Sequence, residues 1–148
     1  MKIDIKRLDE LRDVRKRREE LNRLEQELAR PSVTDFSQIG TMYECFSALP
    51  KRKRENRYVV RKQFIFIAVW AFCPRVLIGG RPPKRFRAEL ARVMALKSPQ
   101  IISEELKDLL FYYTTYPQFR ADTDRKYGIV LQSLTEQKES RPEGQDGE

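Results

Sequence analysis

Residues 64–73 read FIFIAVWAFC, ten consecutive positions without a charge in a chain that is 35% charged. Crossing a bilayer takes about 20 apolar residues, and Pro74 and Arg75 stop this run well short of that. The run therefore has to be buried in protein, and the rest of the chain has to supply the cover. Tyr58, Val59, Val60 and the run itself are rich in β-branched and aromatic residues, which suits a strand. Between Pro50 and Pro74, however, there is neither Gly nor Pro. An uninterrupted stretch of that length suits a helix better. We take residues 51–73 as a helix, basic in its first half and buried in its second.

The covering elements are also expected to be helical. Phe36, Ile39, Met42, Tyr43, Phe46 and Leu49 recur at helical spacing through residues 35–48, after the capping side chains of Ser32, Thr34 and Asp35. Gly79-Gly80-Arg81-Pro82-Pro83 marks a loop. Residues 84–95 turn Phe86, Leu90, Val93 and Met94 inward. Residues 99–116 do the same with Ile102, Leu106, Leu109, Leu110 and Tyr113, and residues 117–134 with Phe119, Tyr127, Val130, Leu131 and Leu134. The last two open on prolines, which fit the first turn of a helix. Phe111, Tyr112, Tyr113, Tyr116 and Phe119 suit a core with hydroxyls at its rim better than a base-stacking platform. Residues 135–148 have almost no apolar side chain and read as a disordered tail.

Residues 3–30 form one more helix, rich in Leu, Arg, Glu and Lys and free of Gly and Pro. Leu8 and Leu11 share a face, and Val14, Leu21 and Leu28 recur every seven residues with Leu24 between them. Arg17 and Arg18 break the heptad frame. Such an arm either forms a homodimer or packs back on its own domain. The expected fold is thus all-α: a compact bundle of about five helices over residues 31–134, with a helical arm over 1–30 and a tail from 135.

The charge is unevenly spread. The net is +8, yet residues 51–92 alone hold 13 basic and 2 acidic residues. Thirteen against two is unlike the even mixture of a merely solvated face. A patch of this kind attracts polyanions, and arginine grips phosphate oxygens bidentately. The candidate contacts are Lys51, Arg52, Lys53, Arg54, Arg57, Arg61, Lys84, Arg85, Arg87 and Arg92. DNA is the expected partner. RNA or an acidic protein surface would meet the same patch.

Residues 90–106, LARVMALKSPQIISEEL, resemble the helix-turn-helix of bacterial and phage DNA-binding regulators. Ala91 takes the inner position where a small side chain lets two helices approach. Ala95 and Leu96 take the turn, Ser98 caps the second helix, Ile101 or Ile102 anchors it and Ser103 follows. The resemblance implies that Lys97, Gln100, Ser103 and Lys107 face DNA, with Arg85, Arg87 and Arg92 on phosphates. The sequence departs from the pattern at Ala95, where Gly is usual, in one extra residue before Ile102, and in Glu104, Glu105 and Asp108 on the second helix. A short Arg/Lys-rich chain with a helical arm and an acidic tail is also similar in general form to accessory proteins of bacterial mobile elements.

Catalytic chemistry finds little here. The chain has no histidine, the commonest general base and metal ligand. Its two cysteines, Cys45 and Cys73, have no zinc-site spacing and read as small apolar residues in a reducing, cytoplasmic setting. No phosphate-binding glycine motif is present. Asp122, Asp124, Glu104, Glu105 and Asp108 read as surface acids, not as a metal site. We expect a binding protein with no enzyme activity, no cofactor, no metal and no membrane partner.

Overall fold

In the computed structural model, which describes residues 1–51 and 55–139, the uncharged run is the inner half of one helix. This helix, α3 below, spans Arg57–Phe72. Asn56 caps it by accepting the Tyr58 N–H at 2.9 Å. Every residue from Gln63 to Val69 is buried, as are Ala71 and Phe72. The exception within the run is Trp70, which was expected to be buried and is 44% exposed, so the helix is enclosed on all but one side. Each fully buried Phe, Ile or Val of this stretch contributes about 1.5–3 kcal/mol from its removal from water.

Among the described residues the chain is all-α, with no strand. The helices are α1 Ile5–Leu28, α2 Ile39–Ser47, α3, α4 Lys84–Val93, α5 Gln100–Leu106, α6 Leu109–Thr115 and α7 Pro117–Glu139. Residues 1–30 and 31–148 form two separate units. In the second unit α3 packs on α2, α5 and α7, while α2 also meets α4 and α7, and α4 meets α5. Phe36, Phe72 and Phe86 meet with ring centroids 5.7–5.9 Å apart. Tyr43 and Phe46 flank Phe64 at 4.8 and 5.1 Å. The segment entering α2 is tied to the end of α3, because the N–H groups of Ser32 and Val33 both donate to the Ala71 carbonyl.

Four boundaries differ from the expectation. The helix expected over 51–73 begins only at Arg57, after its cap Asn56. The helix expected over 99–116 is two pieces, α5 and α6, broken at Lys107-Asp108. Asp108 leaves helical geometry (φ −122°, ψ 6°) where its carboxylate turns to the Lys62 ammonium at 3.0 Å. The helix expected over 35–48 opens with a 3₁₀ turn, Phe36–Gln38. The first five residues of the tail expected from 135 are helical, because α7 continues to Glu139. Gln132 and Glu136 bond across one turn at 3.2 Å, which supports that extension. Residues 140–148 lie outside the described residues.

Both ends of α4 are sealed by tight turns. Before it, a 3₁₀ turn Pro74–Ile78 ends at Gly79, whose φ of +103° is open to glycine at little cost. The Gly80 N–H then donates to the Arg75 carbonyl at 2.9 Å, and a Cβ at Gly80 would stand 2.9 Å from that same oxygen. After α4, the Leu96 N–H donates to Ala91 O (2.9 Å) and the Ala95 N–H to Arg92 O (3.1 Å). This pair of bonds is a Schellman closure, and its left-handed residue is usually glycine. Here it is Ala95, at φ +54°. The left-handed conformation costs a residue with a Cβ about 1–2 kcal/mol. Ala95→Gly is therefore expected to raise stability by about 0.5–1 kcal/mol after the extra backbone entropy of glycine. Chemical denaturation would show it as a higher midpoint at unchanged slope, and an unchanged or lower midpoint would contradict it.

Candidate anion-binding cleft

The sealed turns aim the chain at one cleft. The Gly79-Gly80 turn delivers Arg81, the first turn of α4 supplies Lys84 and Arg87, and Ser103 and Lys107 come from α5 and its end. Val76, Gly80, Pro82 and Leu106 complete the wall of a hollow of about 420 Å³. Four of the lining residues are cationic, and none of the described lining residues is acidic. Arg87 is held in place by a hydrogen bond from Nη1 to the Ser103 Oγ at 2.9 Å. Lys107 also donates to Glu104 at 3.1 Å, and that hydrogen bond holds the Glu104 carboxyl below the usual carboxylate range. An array of guanidinium and ammonium donors around a polar hydroxyl is matched to phosphate oxygens.

A brace fixes α5 against α3. Arg61 and Lys62 donate to the two oxygens of Glu105, each at 2.6 Å, and Lys62 also reaches Asp108 at 3.0 Å. The Lys62 ammonium also lies 4.9 Å from the centre of the Tyr112 ring. Burial pulls the Lys62 ammonium down, but the hydrogen bonds to Glu105 and Asp108 outweigh it and hold the group above its ordinary value. A raised folded-state value makes this contribution complete at neutral pH, and it is lost only as pH rises through the alkaline range. The brace has a second effect. Glu105 and Asp108, which would repel phosphate from the outer face of α5, are turned to cations of α3, and Glu104 is engaged by Lys107.

The candidate contacts read from the sequence fall into several groups. Lys84, Arg87, Ser103 and Lys107 meet in the cleft. Lys51, Arg57 and Arg61 border a different hollow that also contains Glu55. There Arg57 and Arg61 lie against the Tyr58 ring, 5.4 and 5.3 Å from its centre. Arg61 is engaged by Glu105, as described. Arg85 and Arg92 are both exposed on α4, seven residues apart, and Arg92 is paired with Glu89. Lys97 is exposed in the turn after α4. Gln100 is exposed at the start of α5, its N–H bound by the Ser98 Oγ at 3.1 Å and its side chain 3.4 Å from Glu104. Arg52, Lys53 and Arg54 lie outside the described residues.

Two features escape the sequence reading. Arg81 counts in the basic segment but not among the contact residues; its neighbours Gly79 and Gly80, which set its direction, were the available signal. The second is a buried polar group. Lys126 on α7 is only 3% exposed, and its ammonium donates to Glu55 at 2.9 Å and to the Gln63 side-chain oxygen at 2.7 Å. It also lies 5.3 Å from the centre of the Phe46 ring.

The remaining acids and aromatics have structural partners. Asp124 accepts from the Tyr113 hydroxyl at 2.7 Å, and Asp122 from Gln118 at 3.1 Å. Among the described residues, no three His, Cys, Asp or Glu side chains gather as metal ligands, and no helix is long and apolar enough to cross a membrane. Tyr113 stacks on Phe66 at 4.5 Å, and Phe119 is buried. Phe111 and Tyr116, expected in the core, are exposed, and so is Leu110, expected on the inner face of its helix. Cys45 and Cys73 are half-buried free thiols, and burial pushes Cys73 up to about 12, which leaves it protonated at neutral pH. No family model, no curated protein and no solved structure matches this chain.

Proposed function

We propose that this protein is a small, non-catalytic DNA-binding regulator or accessory factor. It grips the phosphate backbone with the cleft of Arg81, Lys84, Arg87 and Lys107. The observation that carries this reading is the gathering of four cations from three elements around a hollow with no acid among its described lining residues. The α4–turn–α5 unit supports a further step, base readout by Lys97 and Gln100 from the turn and the start of α5. Its turn has the left-handed residue at Ala95, the position where the helix-turn-helix pattern has Gly. A second reading, an interaction protein, draws on an apolar groove lined by Phe66, Trp70, Leu77, Ile78 and Leu110, in which Trp70 and Ile78 are exposed.

Binding of the full chain to duplex DNA, single-stranded DNA and RNA, followed by anisotropy as salt is raised, tests the proposal. Log affinity for the duplex should fall linearly with log salt at a slope of about 0.9 per phosphate contact. Four contacts amount to roughly a 100-fold loss between about 50 and 200 mM salt. No binding to duplex DNA at the lowest salt would overturn the proposal, and clear preference for RNA would replace its target.

A further inference from the structure

The first unit of the chain poses a separate question. Helix α1 is 24 residues long and none of its residues is buried. Its apolar side chains Leu8, Leu11, Val14, Leu21, Leu24 and Leu28 are all exposed, Leu21 by 64% and Leu28 by 73%. A soluble helix gains most of its stability from packing an apolar stripe, and this stripe has nothing against it within its unit.

The charges of α1 indicate what covers it. Residues 5–18 hold seven basic and three acidic side chains, whereas residues 19–28 hold one basic and four acidic. The helix is positive in its first half and negative in its second. That is the wrong way round for an isolated helix, whose own dipole favours acids at the start and bases at the end. The first turn of α1 has no acidic residue and the last turn no basic one. Asp4 caps the helix by accepting the Arg7 N–H at 3.2 Å, so the only acid at this end sits before the first turn. A parallel copy would set positive half against positive half. An antiparallel copy sets each half against its opposite, and its helix dipole is opposed as well.

From the exposed stripe and this division of charge, we propose that two copies of the chain pair through α1 in antiparallel orientation. The residues around Lys6 of one copy lie beside those around Glu27 of the other, which sets Leu28, Leu24 and Leu21 of one copy opposite the exposed Ile5, Leu8 and Leu11 of the other, with Val14 near the centre. Arg17 interrupts the seam near the middle of the helix, where its long stem covers apolar surface while the guanidinium reaches water. In the heptad frame of Val14, Leu21 and Leu28, three positions of the roughly three heptads are charged (Arg7, Glu10 and Arg17), and charges there cost stability, so the expected dimer is a weak one that dissociates in the micromolar range. The pairing is independent of the DNA-binding reading, because it involves no residue of the cleft.

Sedimentation equilibrium of the full chain, without nucleic acid, provides the first test. The expected mass at about 100 µM is twice the 17.6 kDa of one chain, falling to one chain's mass in Leu21→Glu. Thermal unfolding of that variant should keep the transition of the 31–139 unit, which separates loss of pairing from loss of folding. Orientation is read by oxidative crosslinking of Lys6→Cys, of Glu27→Cys and of a mixture of the two. Antiparallel pairing gives a covalent dimer in the mixture and little in either variant alone. A wild-type chain that stays at one chain's mass overturns the proposal, whether α1 is solvated or covered by a different protein. Covalent dimers from Lys6→Cys alone overturn the orientation.

Discussion

Replacing Arg81, Lys84, Arg87 and Lys107 together by Ala is expected to weaken duplex DNA binding by about 100-fold or more near 150 mM salt. It should also flatten the salt dependence by about 3 to 4 in slope. Each cation that meets a phosphate releases about one condensed counterion, so the change in slope counts the contacts removed. The weakening should be nearly uniform across DNA sequences, because phosphate contacts position a protein without reading bases. Stability should change little, since these are exposed or half-buried side chains and the one described bond lost between the cleft's lining residues is Arg87 to Ser103. Arg85→Ala with Arg92→Ala is the matched control. It removes two positive charges from α4 at positions that do not line the cleft, so its effect should be far smaller. An equal loss in log affinity per charge removed would mean that affinity follows net charge alone and that the cleft has no special part. By contrast, Gln100→Ala should change the ranking of DNA sequences more than the overall affinity, if α5 reads bases.

The second large effect is expected in folding. Lys126→Met should destabilise the protein by about 3–5 kcal/mol, the usual cost of removing one member of a buried ion pair. The methionine fills much of the volume of the lysine stem, so little of this arises from a cavity. Most arises from Glu55 and Gln63, which lose their shared donor while the Glu55 side chain remains only 13% exposed. The melting temperature should fall by roughly 10–20 °C. Adding Glu55→Gln removes the stranded charge and should recover a substantial part of the loss. A Lys126→Met protein with an unchanged melting temperature would show that the ammonium contributes no more than its desolvation costs.

The all-α architecture was legible because its strongest signal is one-dimensional. An uncharged run between Pro50 and Pro74 has few ways to be buried, and the amphipathic spacing of Phe86, Leu90 and Val93 repeats without interruption. Long-range partners were not legible. Lys62 reaches Asp108 across 46 residues, so the break between α5 and α6 has no local cause in the sequence. Lys126 stands between polar neighbours on α7, and its partners lie 63 and 71 residues away. Nothing near it marks the one lysine that the fold encloses among its described residues. The aromatic stretch from Phe111 shows the converse failure. Composition suggested a core, yet the consecutive rings 111–113 point in different directions around α6 and Tyr116 lies just past its end, so Phe111 and Tyr116 are left in water. In the candidate cleft, charge counting located the segment, but the choice of Arg81, Lys84 and Arg87 among its thirteen cations depended on two backbone turns, and Lys107 lies outside that segment altogether.

Those turns have a thermodynamic consequence. Because hydrogen bonds close the chain at Gly80 and again at Leu96, the backbone around α4 is already ordered before any ligand arrives. Association with a polyanion then requires ordering of side chains and release of counterions, without folding of a loop. Coupled folding would appear as a large negative heat-capacity change. A cleft built in advance should bind with a heat-capacity change near zero, with a favourable entropy that salt erodes, and at a rate set by electrostatic encounter.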